Sequence, residues 1–246
     1  MSLTYEMEQK SQPKSRRAKY VEPKNVVELP LHKLLRYRNR SLDGIQGSFL
    51  DKPDMQSIFC AGSVELLEAP TVAVIGSRSV SEAGRARARR IARLLSDNGV
   101  VVSSGLAKGV DTAAHTGAIS AGGRTIAVIG TPLNKSYPAE NARIQEKIYT
   151  EHLLLSQFPE GQRTYPSDFP KRNRIMAALS DASIIVEASD SSGTLHQAAE
   201  CDRLGRWLFI MKSVVDNPAL EWPAKFLKRD RVAVLESVDD VLDRIL

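Results

Sequence analysis

The sequence predicts an α/β protein built on an extended Rossmann-like fold, a doubly wound and mostly parallel sheet with helices on both faces. Two observations carry that expectation. Short β-branched runs recur at 72–75, 100–102, 125–129, 153–155, 183–186, 207–210 and 231–235. Between most of them lie segments of helical spacing, as in Ala88, Ile91, Leu94 and Leu95, where apolar residues return every three or four positions. Near-continuous apolar strands alternating with amphipathic helices specify a sheet buried on both sides.

Ahead of this alternation the chain changes character. Residues 1–24 are polar and carry Lys14, Arg16, Arg17 and Lys19, the composition of a flexible basic tail. Residues 25–70 hold short apolar pieces, such as Leu34-Leu35, Ile58-Phe59 and Leu66-Leu67, and read as a lead-in that packs short helices or an edge strand onto one domain spanning 25–246.

Composition narrows the function classes. Of 246 residues, 42% are hydrophobic and 26% charged, ordinary for a globular chain. No stretch approaches the roughly 20 apolar residues of a membrane helix, and the N-terminus lacks the apolar core of a secretory signal. Cys60 and Cys201 are far apart and form no C-x-x-C pair, which suits a reducing cytoplasm. The histidines at 32, 115, 152 and 196 are scattered, so neither a metal nor any other cofactor is assigned. The net charge of +5 is modest, but Arg85, Arg87, Arg89, Arg90 and Arg93 crowd one segment. Such a run is more often a solvated helix face than a phosphate site.

In open α/β sheets ligands bind beyond the carboxyl ends of the strands, so the loops leaving the strands are the informative ones. Gly76-Ser77-Arg78 follows the first parallel strand, and Ser79 with Glu82 reads as a capping box for the next helix. A tight glycine turn, free N–H groups and a guanidinium suit a phosphate; the plainer reading is a turn and a paired arginine. Ser104-Gly105-Leu106-Ala107-Lys108-Gly109 supplies backbone donors and a lysine, and Asp111 with His115 one turn on reads as a helix-stabilising pair sooner than a catalytic dyad. Tyr137, after the Gly130-Thr131-Pro132 loop, could stack on a base or simply pack the loop. Lys171-Arg172-Asn173-Arg174 places three cations and an amide at a helix start, where acidic residues are the norm, and reads as a phosphate clamp. Ser192-Gly193-Thr194 is a further hydroxyl-rich turn. There is no G-x-G-x-x-G fingerprint and no G-x-x-x-x-G-K-[ST] loop, which weakens NAD and ATP chemistry.

At these loops the sequence resembles the DNA-processing protein A (DprA, or Smf) family. The resemblance runs through Ala73-Val74-Ile75-Gly76-Ser77-Arg78, through the loop from Val102 to His115, and through Gly123-Arg124-Thr125-Ile126-Ala127-Val128-Ile129-Gly130. It continues in Tyr137-Pro138-Ala139-Glu140-Asn141, Ser156-Gln157-Phe158-Pro159, Phe169-Pro170-Lys171-Arg172-Asn173-Arg174-Ile175 and Ser192-Gly193-Thr194. It implies a non-enzymatic, dimeric, cytoplasmic protein that binds single-stranded DNA and loads a RecA-type recombinase during DNA uptake or recombination. Carried onto this sequence, the implied DNA-contacting set is Gly76, Ser77, Arg78, Ser104, Gly105, Lys108, Gly109, Lys171, Arg172, Asn173, Arg174, Ser192, Gly193 and Thr194. The chain runs to Leu246, so a core without the family's C-terminal winged helix is expected, and His196 and Gln197 stand where small or aliphatic residues are more usual.

The rival class is an enzyme similar to the LOG-type nucleotide phosphoribohydrolases. Their P-G-G-x-G-T-x-x-E signature needs a catalytic glutamate, and Gln197 stands at that position, where an amide cannot act as a carboxylate base; Glu200 lies near enough to keep the question open. A non-catalytic sensor of small nucleotides is the third reading, since it needs the same phosphate cradles.

Overall fold

The computed structural model describes residues 19–38, 40 and 56–246. The lead-in contributes β1 (Val27–Pro30), α1 (Leu31–Arg36) and β2 (Ser57–Gly62). The alternating part follows as β3 (Thr71–Gly76), α2 (Glu82–Asp97), β4 (Val101–Ser104), α3 (Val110–Ser120), β5 (Thr125–Ile129), α4 (Ala142–Glu151) and β6 (Leu153–Ser156). It continues with α5 (Asp168–Ala178), β7 (Ala182–Glu187), α6 (Thr194–Arg203), β8 (Trp207–Met211), α7 (Lys212–Val215), α8 (Trp222–Phe226), β9 (Val232–Leu235) and α9 (Asp239–Ile245). Every run predicted as a strand is one.

All strands form one 9-stranded sheet in the order β1-β2-β6-β5-β4-β3-β7-β8-β9. From β6 to β9 neighbouring strands are parallel, whereas β1 and β2 add an antiparallel edge. The chain winds outward from β3 to β6, then crosses back to the other side of β3 and winds outward again to β9. The sheet therefore reverses direction between β3 and β7, and a crevice opens there at the strand ends.

Alternation along β3 shows why the sheet needs cover on both faces. Val72 and Val74 pack into one layer with Ile91 and Leu95 of α2, Ala114 of α3 and Val241 of α9. Ala73 and Ile75 point the other way, into the layer with Ile175 and Met176 of α5 and Ala198 of α6. A smaller cluster joins Ala127 and Ile129 of β5 to Leu154 of β6 and Ile148 of α4. Val241 and Ile245 near the C-terminus are core residues, with Val238 and Leu242 packed beside them.

Three local expectations resolve differently or more plainly than the sequence alone indicated. The α2 cap is Ser81, whose Oγ accepts from Gly84 N at 2.9 Å; Ser79 lies outside the helix, and Glu82 is its first residue rather than the third. The arginine run on α2 is a helix face, where Arg85 pairs with Glu82 at 3.4 Å and Arg93 with Asp97 at 3.8 Å. Of the expected basic tail, residues 1–18 lie outside the described residues. Residues 19–24 are docked: Tyr20 Oη donates to Leu133 O at 2.8 Å and accepts from Gln145 Nε2 at 2.8 Å, while Val21 N donates to Glu146 Oε1 at 2.9 Å. Among the described residues no helix is long and apolar enough to cross a membrane.

The lead-in is anchored by charge as well as by strand pairing. Arg40 is 1% exposed and forms two 3.1 Å bonds to the Asp181 carboxylate, while its Nη1 donates to Leu67 O at 2.9 Å. The same carboxylate accepts from Thr71 N at 2.8 Å, so one buried ion pair joins the lead-in to the starts of β3 and β7. Arg38 Nε pairs with the same carboxylate at 3.1 Å, so loss of Arg40 would leave Asp181 partly compensated and would chiefly strand the carbonyls of Leu67 and Ala69. Arg40→Leu is expected to lower stability by about 2 kcal/mol, read from the urea unfolding midpoint.

Candidate functional site

A cleft of about 590 Å³ occupies the crevice between β3 and β7. Its walls come from the loop after β3, from Ala107 and Asp111 around the start of α3, from the first turns of α5 with Tyr137 beside them, and from the turn between β7 and α6.

The loop after β3 is shaped by its neighbours. At Gly76 an added Cβ would stand 2.6 Å from Val110 Cγ2 and 2.7 Å from Glu187 O, so no side chain fits between β3, β7 and α3. Ser77 N donates to Glu187 O at 2.7 Å, and Val110 N donates to Ser77 O at 3.2 Å. The carboxylate of Glu187 then accepts from Ser81 N at 2.8 Å and Ser81 Oγ at 2.6 Å. Gly109 has φ +80°, and a Cβ there would drive into Ser77 O and Arg78 O. These restraints fix the direction in which Arg78 leaves the backbone.

Arg78 lies over the Phe169 ring, 5.0 Å from its centroid, and Tyr137 packs tilted against the same ring at 5.6 Å. The stack holds a cation at the mouth of the cleft with one side against an aromatic face. On the opposite wall, Ser192 Oγ donates to Thr194 Oγ1 at 2.9 Å and accepts from Thr194 N at 3.2 Å, a short turn opening α6. His196, exposed, completes that wall.

The residues singled out in the sequence separate into distinct positions. Gly76, Ser77, Arg78, Arg172, Asn173, Ser192, Gly193 and Thr194 line the cleft. Ser104, Gly105, Lys108, Gly109, Lys171 and Arg174 do not. Ser104 is buried and donates to Val74 O at 2.7 Å; Gly105 and Gly109 are backbone supports beneath the floor. Lys108 forms an exposed 2.9 Å ion pair with Glu140, and Lys171 a 3.1 Å pair with Asp168 one turn back on α5. Arg174 is exposed on α5. The cluster 171–174 is thus spread around the first turns of a helix that begins at Asp168, and only Arg172 and Asn173 face the cleft.

Arg172 sits deepest. It is 4% exposed, and its Nη1 donates to Gly105 O and, at 2.6 Å, to Val128 O. Beside it Asp111, 6% exposed, accepts from Ala107 N at 3.3 Å. Burial pushes the Asp111 carboxyl above its usual range, and the Arg172 and Arg78 guanidiniums oppose that shift without cancelling it. Burial also lowers Arg172, with Asp111 pulling the other way. His115 does not pair with Asp111; its Nδ1 meets Thr125 Oγ1 at 2.7 Å inside the core. Because Thr125 Oγ1 already donates to Val102 O at 2.7 Å, His115 Nδ1 carries the proton in that contact. Burial pushes the imidazole down to about 3, with His152 and Arg172 adding to the effect.

Three residues that shape the site give no individual signal strong enough to single them out in the sequence. Phe169 was noticed only as part of a basic motif, although it is the ring on which Arg78 and Tyr137 both rest. Glu187 was the last residue of a strand, yet its carboxylate caps α2 through Ser81 and its carbonyl holds Ser77. An acidic residue closing an apolar strand beside a glycine turn was the available signal. Asn141 closes the Tyr137–Asn141 motif, and its Nδ2 donates to Leu106 O at 2.8 Å and to Thr112 Oγ1 at 2.9 Å, fixing the loop before α3. Among the described residues no group of acidic, histidine or cysteine side chains could hold a metal ion.

Fold and cleft together define a Rossmann-like protein with a cationic, hydroxyl-lined crevice at its topological switch point. The chain belongs to the DNA recombination-mediator protein A family, whose model matches residues 48–246. The DNA processing protein DprA of Streptococcus pneumoniae is 43% identical over 161 residues, covering 65% of this chain and 57% of that protein. The X-ray structure of DNA processing protein A from the same species aligns with a TM-score of 0.74 at 33% identity, covering 92% of this chain and 76% of that one. DNA processing protein A of Helicobacter pylori shares the fold, with a TM-score of 0.70 at 24% identity over 91% of this chain and 94% of that one. The chain spans about half the length of the curated relatives it matches.

Two outcomes follow from the site's geometry. Glu187→Ala removes the acceptor of two Ser81 bonds, so α2 should fray at its start: the Ser81 amide is expected to exchange with solvent at least ten-fold faster, measured by hydrogen–deuterium exchange, at a cost of about 1 kcal/mol in stability. The neutral burial of His115 makes stability pH-dependent. Its folded value, about 3, lies below the ordinary 6.5, so the unfolded chain takes up the proton first and stability is lost as pH falls from 6.5 toward 3. On the order of 2 kcal/mol should disappear between pH 7 and pH 5. His115→Asn, which keeps a donor to Thr125, should flatten that slope in urea titrations run across the same range.

Proposed function

We propose that the cleft binds single-stranded DNA without reading its sequence, and that the protein serves recombination by passing the strand to a RecA-type recombinase. The observation that carries this reading is the Arg78–Phe169–Tyr137 stack at the mouth of a cleft that has Arg172 behind it and the hydroxyls of Ser77, Ser192 and Thr194 along its walls. Cations and hydroxyls hold phosphates irrespective of base, and exposed aromatic rings accept any base by stacking. A cleft walled by aromatic rings suits a flexible strand, whose bases are free to stack on them, whereas a duplex keeps its bases stacked inside the helix. The structural work on the Helicobacter pylori relative concerns a single-stranded DNA binding mode, and the family's description as recombination mediators supports the role.

The reading is of a binder that changes no bonds, working in the cytoplasm as a homodimer. For a phosphoribohydrolase, Gln197 stands at the glutamate position, is 1% exposed, and its Nε2 donates to Ser183 Oγ at 3.3 Å beneath the sheet. Glu200 is turned away from the cleft and pairs with Arg203 at 2.5 Å. Asp111 is the carboxylate in the cleft wall, and its contacts with Ala107 N and its position beside Arg172 suit it to support the floor. A second reading, a pocket for one small nucleotide, is favoured by the cleft's volume, which falls within the range of small-molecule sites.

Fluorescence-anisotropy titrations separate the two. Affinity for oligo(dT) should rise with length beyond a single nucleotide and fall steeply with salt, while duplex DNA of equal length binds weakly. Equal affinity for thymidine monophosphate and the oligomers would favour the nucleotide pocket. Arg78→Ala should weaken oligo(dT) binding by about ten-fold and reduce the salt slope by about one. Arg174→Ala, altered outside the cleft, should change it much less. Sedimentation equilibrium tests the homodimer, and strand-exchange assays with a RecA-type recombinase test the hand-over.

A further inference from the structure

A second cavity, of about 670 Å³, lies beyond the cleft and shares Tyr137, Pro166 and Phe169 with it as a common wall. We propose that this groove is a second nucleotide subsite, in which the base next to the phosphate held at Arg78 stacks on Tyr165. The proposal rests on the reading of the cleft as a single-strand site and extends it by naming where the strand goes.

The groove has the chemistry of a single-strand track. Tyr165 is 50% exposed and Tyr137 54%, two aromatic side chains of the groove left open to solvent. A large ring exposed to that degree gains by being covered, and a nucleobase covers it without demanding a particular hydrogen-bond pattern. Cations lie near these rings: Arg163 lies over Tyr165 at 5.6 Å, and Arg78 lies over Phe169, the ring against which Tyr137 packs. Lys19 and Lys135 line the groove as well, and no aspartate or glutamate does among the described residues. The occupant is therefore anionic and flat, and continuity with the cleft makes it the same strand.

The groove is also built rather than incidental. Its wall on one side is the segment around Tyr20, whose hydroxyl is satisfied in both roles, donating to Leu133 O and accepting from the buried Gln145. Tyr149 Oη donates to Val21 O at 2.8 Å and holds the next residue. On the opposite side Asp168 accepts from Tyr165 N at 2.8 Å, which fixes the backbone from which the Tyr165 ring projects. Both walls are set before a ligand arrives, so little ordering is needed on binding.

The full chain tests this with two probes, oligo(dT) long enough to cross both cavities and thymidine 5′-monophosphate, which occupies only the cleft. Tyr165→Ala should weaken oligo(dT) binding by about ten-fold and leave the monophosphate unchanged, while Tyr165→Phe, which keeps the ring, should bind both as the parent does. Photocrosslinking an oligomer that carries 5-iodouracil should place the adduct at Tyr165 or Tyr137. If Tyr165→Ala binds oligo(dT) as the parent does while Arg78→Ala is impaired, the subsite is wrong and the cleft stands. If Arg78→Ala leaves both probes unaffected, the cleft reading fails and the subsite with it.

Discussion

Arg172 carries a permanent positive charge into a position where only 4% of its surface is exposed, and a guanidinium stripped of water persists only where oxygen atoms replace the lost hydration. Here the replacements are the carbonyls of Gly105 and Val128, together with the neighbouring Asp111. Gly105 follows β4 and Val128 lies within β5, so one side chain from α5 joins two strand ends to a helix. That requirement explains much of the floor. The loop before α3 must turn its carbonyls inward, Asn141 must hold Leu106 O, and Asp111 must stay buried against its preference for water. Two guanidiniums beside one carboxylate leave the crevice with unbalanced positive charge, which the proposed phosphate contacts would offset.

The other side of the crevice is organised through β7. Glu187 ends that strand with its carbonyl on Ser77 N and its carboxylate on Ser81, so the turn after β3 takes its shape from a residue more than a hundred positions later. Arg78 is aimed by this turn and steadied by the face of Phe169. Strand placement, helix capping and cation orientation are thus set by contacts that converge on a few atoms.

Much of the architecture was legible in sequence because it rests on period. Apolar runs gave the strands of the parallel sheet, and β1 with β2 supplied the expected edge. Local chemistry was harder to read. Ser79 and Ser81 are both good caps, and only the carboxylate of Glu187, remote in sequence, decides for Ser81. Asp111 and His115 have the spacing of a helix pair, but α3 is buried on nearly all sides, so each finds a partner in a different strand or loop. In 171–174 the charges were visible while their directions were not: helix rotation turns Arg172 inward and Arg174 outward, and Lys171 folds back to Asp168. Phe169 and Glu187 were missed for the same reason, since their importance lies in what tertiary contact brings to them.

The winding of the sheet has a consequence for the order in which the chain can become structured as it is made. Strands β3 to β6 can associate while the later half is still absent, but β3 then has one bare edge, a row of unpaired backbone groups that only β7 covers. The strand that closes that edge also brings Glu187. The seam at the centre of the sheet and the turn that carries Arg78 are therefore completed by one late, long-range event, so a nascent chain short of residue 187 has an open sheet and an unformed cleft at the same time.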